Sequence, residues 1–338
     1  MIRTPVDRML VTGATGLVGS HVVERACREG WQVRALVRSA QSAQVLQACG
    51  AELAIGDLAD ADSLKRAVMD ASVIVHCAAK VGDWGPVDDY RNVNVRGLQV
   101  LLEAAEAAGC LRRFVHLSSL GVYEARDHYG TDETTPPNRS GIDGYTLTKV
   151  ESEDLVLEHV ARRQLPAVVL RPGFIYGPRD RTILPRLMER LKTSQFAYLG
   201  SPDKVMNNTY VGNLVDAVFL SIARDDVLGE VFNITDARLV TKREFVETIA
   251  RDAGYPLPGK VVPLGVARFL ARLLEGIYRT LGKQEAPLLS SARIKFLGLN
   301  LDYSIDKARR QLGYEPQTDF ADAMRRTLAW IRETGSRG

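Results

Sequence analysis

The sequence predicts an α/β fold: a doubly wound parallel sheet with a smaller, mainly helical lobe after it. Three observations lead there. Through the first half, short runs of continuous apolar residues alternate with segments of helical periodicity. That is the pattern of strands covered by helices on both faces of a parallel sheet. Gly13, Gly16 and Gly19 fall between the first apolar run and the first helical segment. Beyond Arg171 the alternation loosens and helical segments prevail.

Taken in order, RMLVTG is the first strand and LVGSHVVERACREG a helix that stops at Gly30. WQVRALVR is the second strand, followed by AELAIGD, SVIVHCAA, RRFVHLSS and LPAVVLRP. Helices are expected over 39–49, 61–69, 90–108 and 145–163. Six strands with intervening helices make the Rossmann arrangement. RPGFIYGPRDRTILPRLMERL then carries three prolines and reads as irregular. A strand NNTYV, a helix GNLVDAVFLSIA and a strand GEVFNIT bring the chain back toward the sheet. Helices over 242–253, 261–282, 305–312 and 320–334 complete it. The expected division is a dinucleotide-binding domain over 1–172, rejoined at 208–235, and a substrate lobe from 173–207 and 236–338.

A chain of 338 residues, 46% hydrophobic and 25% charged, can bury a sizeable core. A net charge of +3 without a cluster of Lys and Arg argues against nucleic acid as a partner. Cys27, Cys49, Cys77 and Cys110 form no CxxC pair, so no metal site is expected and the thiols fit a reducing, cytoplasmic setting. The opening MIRTPVDRMLVTG lacks the long apolar stretch of a secretion signal. In the segment 261–282, Arg268, Arg272, Glu275 and Arg279 break up an apolar run, which excludes a membrane span. Val266, Phe269, Leu270, Leu273, Leu274, Ile277 and Leu281 recur there at helical spacing. The amphipathic helix they predict either packs on a core or borders a greasy pocket or a membrane surface.

The turn VTGATGLVGSH can admit a pyrophosphate, because glycine lets the backbone approach closely and the helix N-terminus favours negative charge. At the end of the second strand, where an acidic residue would favour NAD, stand Val37 and Arg38. A guanidinium there pairs with the 2′-phosphate of NADP. Asp57, after the third strand, is placed to accept from the adenine amino group or to serve a turn.

Two Tyr–Lys pairs lie four residues apart, Tyr145 and Lys149 in GYTLTK and Tyr303 and Lys307 in YSIDK. On a helix each pair shares one face. Tyr145 begins the helix that follows the fifth strand, whose carboxyl end carries Ser118 and Ser119, and that edge of a parallel sheet holds ligands. Tyr303 lies in the irregular half, where Ser304 or Asp306 caps a helix. Tyr145 and Lys149 are therefore the candidate proton-transfer pair. A lysine ammonium and a nicotinamide cation both favour tyrosinate, so the phenol is expected below its usual 10.

Together TGATGLVG, GDLAD, HCAAKVGDWG, NVRG, HLSSLGVY, YTLTK, RPGFIYGP and LGYEP resemble the extended short-chain dehydrogenases/reductases of the epimerase/dehydratase superfamily, almost from end to end. Within it the chain is most similar to 3β-hydroxysteroid dehydrogenase-like proteins and 2-alkyl-3-oxoalkanoate reductases. KVGDWG carries the likeness to the latter. The resemblance implies an enzyme with Tyr145 as acid/base and Lys149 as its partner and holder of the nicotinamide ribose. It also implies Ser119 as donor to the substrate oxygen and Asn94 as organiser of the proton relay. Gly13, Thr15, Gly16, Leu17, Val18, Gly19, Arg38, Asp57, Leu58, Ala78, Ala79, Lys80, Pro172 and Ile175 would border the cofactor with Tyr145 and Lys149.

NADP is the expected cofactor, with NAD as alternative. The expected reaction moves a hydride between nicotinamide and a hydroxyl or ketone of a small lipophilic substrate. No sugar-nucleotide phosphate site maps onto the late half, which ranks an epimerase/dehydratase activity second and a non-catalytic nucleotide-binding role third. Phe174, Phe196, Tyr198 and Phe269 are candidate apolar walls, and Lys80 or Arg181 a candidate for a carboxylate. The resemblance further implies a homodimer through the helices over 95–108 and 145–163, with Leu98, Leu101, Leu102, Leu155 and Val156 at the contact.

Overall fold

The protein is described by a computed structural model over residues 7–283 and 285–335. Seven strands form one parallel sheet: β1 (Arg8–Thr12), β2 (Gln32–Val37), β3 (Glu52–Ile55), β4 (Ala71–His76), β5 (Arg113–Leu117), β6 (Ala167–Pro172) and β7 (Val231–Ile234). Their spatial order is β7-β6-β5-β4-β1-β2-β3. The order reverses between β1 and β4, the switch point at which open α/β sheets take ligands. The six expected strands are all present.

Alternation along β1 shows why the sheet needs cover on both sides. Met9 and Val11 enter one core and Leu10 the other. Helices α1 (Leu17–Arg28) and, later in the chain, Val211–Ala223 cover the first face with Val22 and Leu214. The second face is covered by α2 (Ala61–Val68), α3 (Gly97–Ala108) and α4 (Gly144–Arg163), through Leu64, Leu98, Leu101 and Val156. Leu98, Leu101, Leu102 and Val156 are fully buried inside this chain. These four have no surface left for the dimer contact expected of them, whereas Leu155 is half-buried. The reason is that they supply the inner face of α3 and α4, which the sheet itself demands.

The segment expected as one helix over 90–108 is three pieces. Val87–Arg91 runs through a wide π-turn, Asn92–Arg96, into α3. Outside the sheet the chain forms a helix over Ile183–Lys192 and several strand pairs of two to four residues. Phe174–Tyr176 pairs with Asn208–Tyr210, and His128–Thr131 with Leu301–Tyr303. β7 then adds to the outer edge of β6, Val231 opposite Val169.

The amphipathic helix is α5 (Leu264–Thr280), followed by α6 (Ser291–Gly298). Only Ala267 and Ala271 of α5 are buried, against Leu199 and Ile294. Val266, Phe269, Leu270, Leu273 and Ile277 are exposed, so of the two expected placements packing on a core does not hold for them, while Leu264 and Leu274 are half-buried. Small side chains let α5 approach its neighbours closely, and that contact, not the leucine stripe, sets the helix orientation. Among the described residues no helix is long and apolar enough to cross a membrane.

Candidate active site

The β1–α1 turn depends on its glycines. Gly13 has φ of +64°, and a Cβ there would lie 2.7 Å from the backbone N of Ala78. A Cβ on Gly19 would lie 2.3 Å from the Gly13 carbonyl oxygen. Only glycine lets this turn lie against the loop after β4. Gly16 caps α1 without a side-chain bond, and Thr15 and Gly16 are exposed while Leu17 is half-buried. The first turn of α1 thus keeps its backbone donors open to an anion. The residues present fit a dinucleotide pyrophosphate.

Around that turn the expected cofactor residues divide. Arg38 is exposed beyond β2. Asp57 accepts from the Ala59 N–H at 2.9 Å, so one carboxylate oxygen serves the turn. Val18 and Leu58 belong to the core, which leaves their backbone rather than their side chains for a ligand. Ala78 and Ala79 are half-exposed at the end of β4, as is Ile175, while Pro172 is buried at the end of β6. The Lys80 ammonium is taken by Asp89 at 2.8 Å, so it is not the free cation expected for a substrate carboxylate. Arg181 is exposed.

Asn94 sits in the π-turn, and that widening brings its amide inward. Its Oδ1 accepts from the Lys80 N–H at 2.7 Å. Its Nδ2 donates to the Lys80 carbonyl at 3.1 Å and to Thr148 Oγ1 at 2.9 Å. One buried side chain therefore fastens the loop after β4 to α4.

Helix α4 opens with a capping box: Asp143 accepts from the Thr146 N–H at 2.7 Å and Thr146 Oγ1 accepts from the Asp143 N–H. This fixes Tyr145 in the first turn. The Tyr145 phenol faces the Ser119 side chain, and Ser119 Oγ accepts from the Gly121 N–H at 3.0 Å. Lys149, one turn along α4, donates from Nζ to the Leu117 carbonyl at 2.6 Å and lies 5.9 Å from the Tyr145 ring centre. Ser119, Tyr145, Lys149 and Asn94 are thus gathered at the carboxyl ends of β4 and β5. The other pair is divided. Tyr303 stacks on Tyr123 with ring centres 5.4 Å apart, while Lys307 donates to the Val231 carbonyl at 2.9 Å and pairs with Glu230.

The electrostatics correct the sequence expectation. Burial pushes the Tyr145 phenol up to about 12; the Ser119 hydrogen bond acts against this and the Asp143 carboxylate adds to it. Burial also lowers Lys149 to about 8, with Cys77 and Glu153 pulling the other way. Burial dominates the Tyr145 phenol, and Lys149 directs one of its three donors to the Leu117 carbonyl.

Sequence reasoning missed a buried polar network beneath this site. Arg171 of β6 donates from Nε to both Glu153 oxygens at 3.2 and 3.0 Å, and from Nη1 to Tyr123 OH at 2.8 Å. Tyr123 donates to Asn233 at 3.0 Å, and Ser118 Oγ to Glu153 at 2.8 Å. From α6, Lys295 donates to the carbonyls of Gly121 and Tyr123 at 2.6 and 2.5 Å, holding the turn that begins at Ser119. The available signals were an arginine inside an apolar strand and a glutamate four residues after Lys149.

Of the expected apolar walls, Phe174 and Tyr198 are core residues. Phe174 is spent on Phe245 and Phe296, and Phe269 points outward. Phe196 is half-buried.

Residues 9–235 match the NAD dependent epimerase/dehydratase family, and the chain belongs to that family of enzymes. It is 33% identical over 309 residues to a 4-hydroxy-2-methyl-3-oxo-4-farnesyl-3,4-dihydroquinoline-1-oxide ketoreductase of Stigmatella aurantiaca, covering 91% of each chain. A 3 beta-hydroxysteroid dehydrogenase/Delta 5-->4-isomerase of Mycobacterium tuberculosis is 31% identical, covering 97% of this chain and 91% of its own. A 2-alkyl-3-oxoalkanoate reductase of Shewanella oneidensis is 28% identical, covering 96% and 86%. The crystal structure of gox2253 superposes with a TM-score of 0.80 at 28% identity, covering 97% of this chain and 99% of that one. The family likeness expected from the motifs is thereby established.

Proposed function

We propose that this protein is an NADP-preferring oxidoreductase that reduces a ketone on a lipophilic substrate to the hydroxyl. The observation that carries the reading is the placement of Tyr145 beside Ser119, one helical turn from Lys149, at the carboxyl ends of β4 and β5. Three relatives bearing names of ketone or hydroxyl chemistry on bulky apolar molecules support the substrate class. Arg38, exposed at the end of β2, supports NADP over NAD. The four free cysteines support a cytoplasmic setting.

Gly13, Gly16, Gly19 and the α1 N-terminus would hold the pyrophosphate, Arg38 the 2′-phosphate, and Lys149 the nicotinamide ribose. When bound, the nicotinamide supplies the hydride. Tyr145, held protonated by a value near 12, gives its proton to the substrate oxygen. Ser119 Oγ donates to the same oxygen as negative charge develops there. The Lys149 ammonium, present below about pH 8, steadies the phenolate left behind. Asn94 keeps the loop after β4 in register with α4.

The test is to add NADPH with 2-alkyl-3-oxoacyl, 3-oxosteroid and nucleotide-sugar ketones in turn and follow the nicotinamide absorbance. Turnover of an apolar ketone, with kcat/KM rising with chain length at about 0.8 kcal/mol per buried methylene, is the expected result. Activity only on a nucleotide sugar would replace this reading with an epimerase or dehydratase.

A further inference from the structure

Helix α5 turns its apolar residues away from the protein. Val266, Phe269, Leu270, Leu273 and Ile277 follow the i, i+3, i+4, i+7, i+11 spacing of one helix face. All five are exposed, Phe269 to 67% and Leu273 to 50%. From Val266 to Ile277 the stripe runs about 17 Å along the helix. An apolar stripe of this length on one helix exceeds the scattered exposed leucines of an ordinary surface.

The charges say what covers it. Arg268, Arg272 and Arg279 leave the helix on another exposed side. Its one acidic residue, Glu275, accepts from the Ser291 N–H at 2.6 Å and from Ser291 Oγ at 3.2 Å. The helix is thus apolar on one side and basic on another, with its carboxylate engaged internally. That is the composition of a helix lying in the plane of a membrane interface.

The helix is also joined to the site. Trp84 donates from Nε1 to the Lys283 carbonyl at 2.9 Å and meets the Tyr278 ring edge-on at 6.2 Å. Arg279 stands 5.7 Å over the Trp84 ring. Trp84 lies four residues beyond Lys80, the residue clamped by Asn94.

We propose that the exposed face of α5 docks on the surface of an anionic lipid bilayer. The apolar stripe enters the acyl boundary and the arginines meet the headgroups. That the bilayer is also where the substrate is drawn from rests on the lipophilic-substrate reading above; the docking does not.

The test is sedimentation of the protein without substrate, with vesicles of phosphatidylcholine alone or mixed with phosphatidylglycerol. Binding to the mixed vesicles is expected to be at least about tenfold tighter than to phosphatidylcholine alone. Phe269→Ser with Leu273→Ser should lose about tenfold or more in that binding with an unchanged thermal midpoint. Arg268→Ala with Arg272→Ala should lose the preference for the anionic lipid. No sedimentation with either vesicle, or undiminished sedimentation of the serine variant, overturns the proposal. So does a lower mass of the serine variant by light scattering without lipid, which would give the face to a second copy. Vesicle binding is read without turnover, so its failure leaves the reductase reading standing, and the reverse holds for an inactive but membrane-bound protein.

Discussion

Lys149 Nζ and the carbonyl of Leu117 lie 2.6 Å apart, and that bond ties α4 to the last residue of β5. Ser119 follows two residues on. Tyr145 and Ser119 therefore stand on two elements locked together by the lysine between them. Lys149 has a structural task in addition to its charge.

Removing the phenol should expose the proton step. Tyr145→Phe is expected to lower kcat by about 10²–10⁴-fold while NADPH binding, read by fluorescence titration, is kept. Tyr303→Phe, in the stacked pair with Tyr123, should leave turnover unchanged.

Cofactor choice should rest on one side chain. Arg38→Ala should weaken NADPH by roughly one to two powers of ten and leave NADH nearly unaffected, as expected for loss of a charge-assisted pair with the 2′-phosphate. Calorimetric titration with both dinucleotides measures the difference; equal losses would remove Arg38 from the phosphate site.

Activity and stability should move in opposite directions with pH. Burial lowers Lys149 from 10.5 to about 8, so its ammonium is present below about pH 8 and lost above. Ketone reduction should fall as pH rises through about 8. The unfolded chain keeps this proton up to about 10.5, so it binds more protons than the folded chain between the two values. The penalty for burying the ammonium is complete below pH 8 and fades toward 10.5. Urea unfolding of wild type and Lys149→Met at pH 7 and 10 checks the sign: the gap between them should narrow as pH rises.

The buried pair of Glu153 and Arg171 should be costly to break singly. Glu153→Ala leaves a guanidinium buried without its carboxylate, at a cost of about 3–5 kcal/mol. Glu153→Leu combined with Arg171→Met should recover much of that loss. Denaturant midpoints of Glu153→Leu, Arg171→Met and the double variant test this, and additive losses would show that the two residues do not act as a pair.

The strands were legible because each is built around a run of apolar residues, which a parallel sheet covered on both faces favours. The glycine turn and the Tyr145–Lys149 pair were legible because their chemistry is local, within seven and five residues. Glu153 and Arg171 were hidden because 18 residues separate them and their pairing depends on how α4 lies over β6. For α5, periodicity located the stripe but not the direction it faces. That was decided by Ala267 and Ala271, whose small size brings the helix close to Ile294. The brief strand pairs, such as Tyr198–Leu199 with Val261–Val262, are too short to leave a period.

β7 joins the sheet from far along the chain. The outer edge of β6, with Val168, Val169 and Leu170 wholly buried once β7 is in place, waits for residues 231–234. On the ribosome, elongation at about 5–20 residues per second leaves that edge open for roughly 3–12 s after β6 has emerged. A nascent chain is a different molecule in that interval, with an apolar strand whose hydrogen-bonding groups face water and other chains. Translation pauses between codons 172 and 231 would lengthen the exposure, so the yield of native protein should depend on the synonymous codons chosen there as well as on the amino acids they encode.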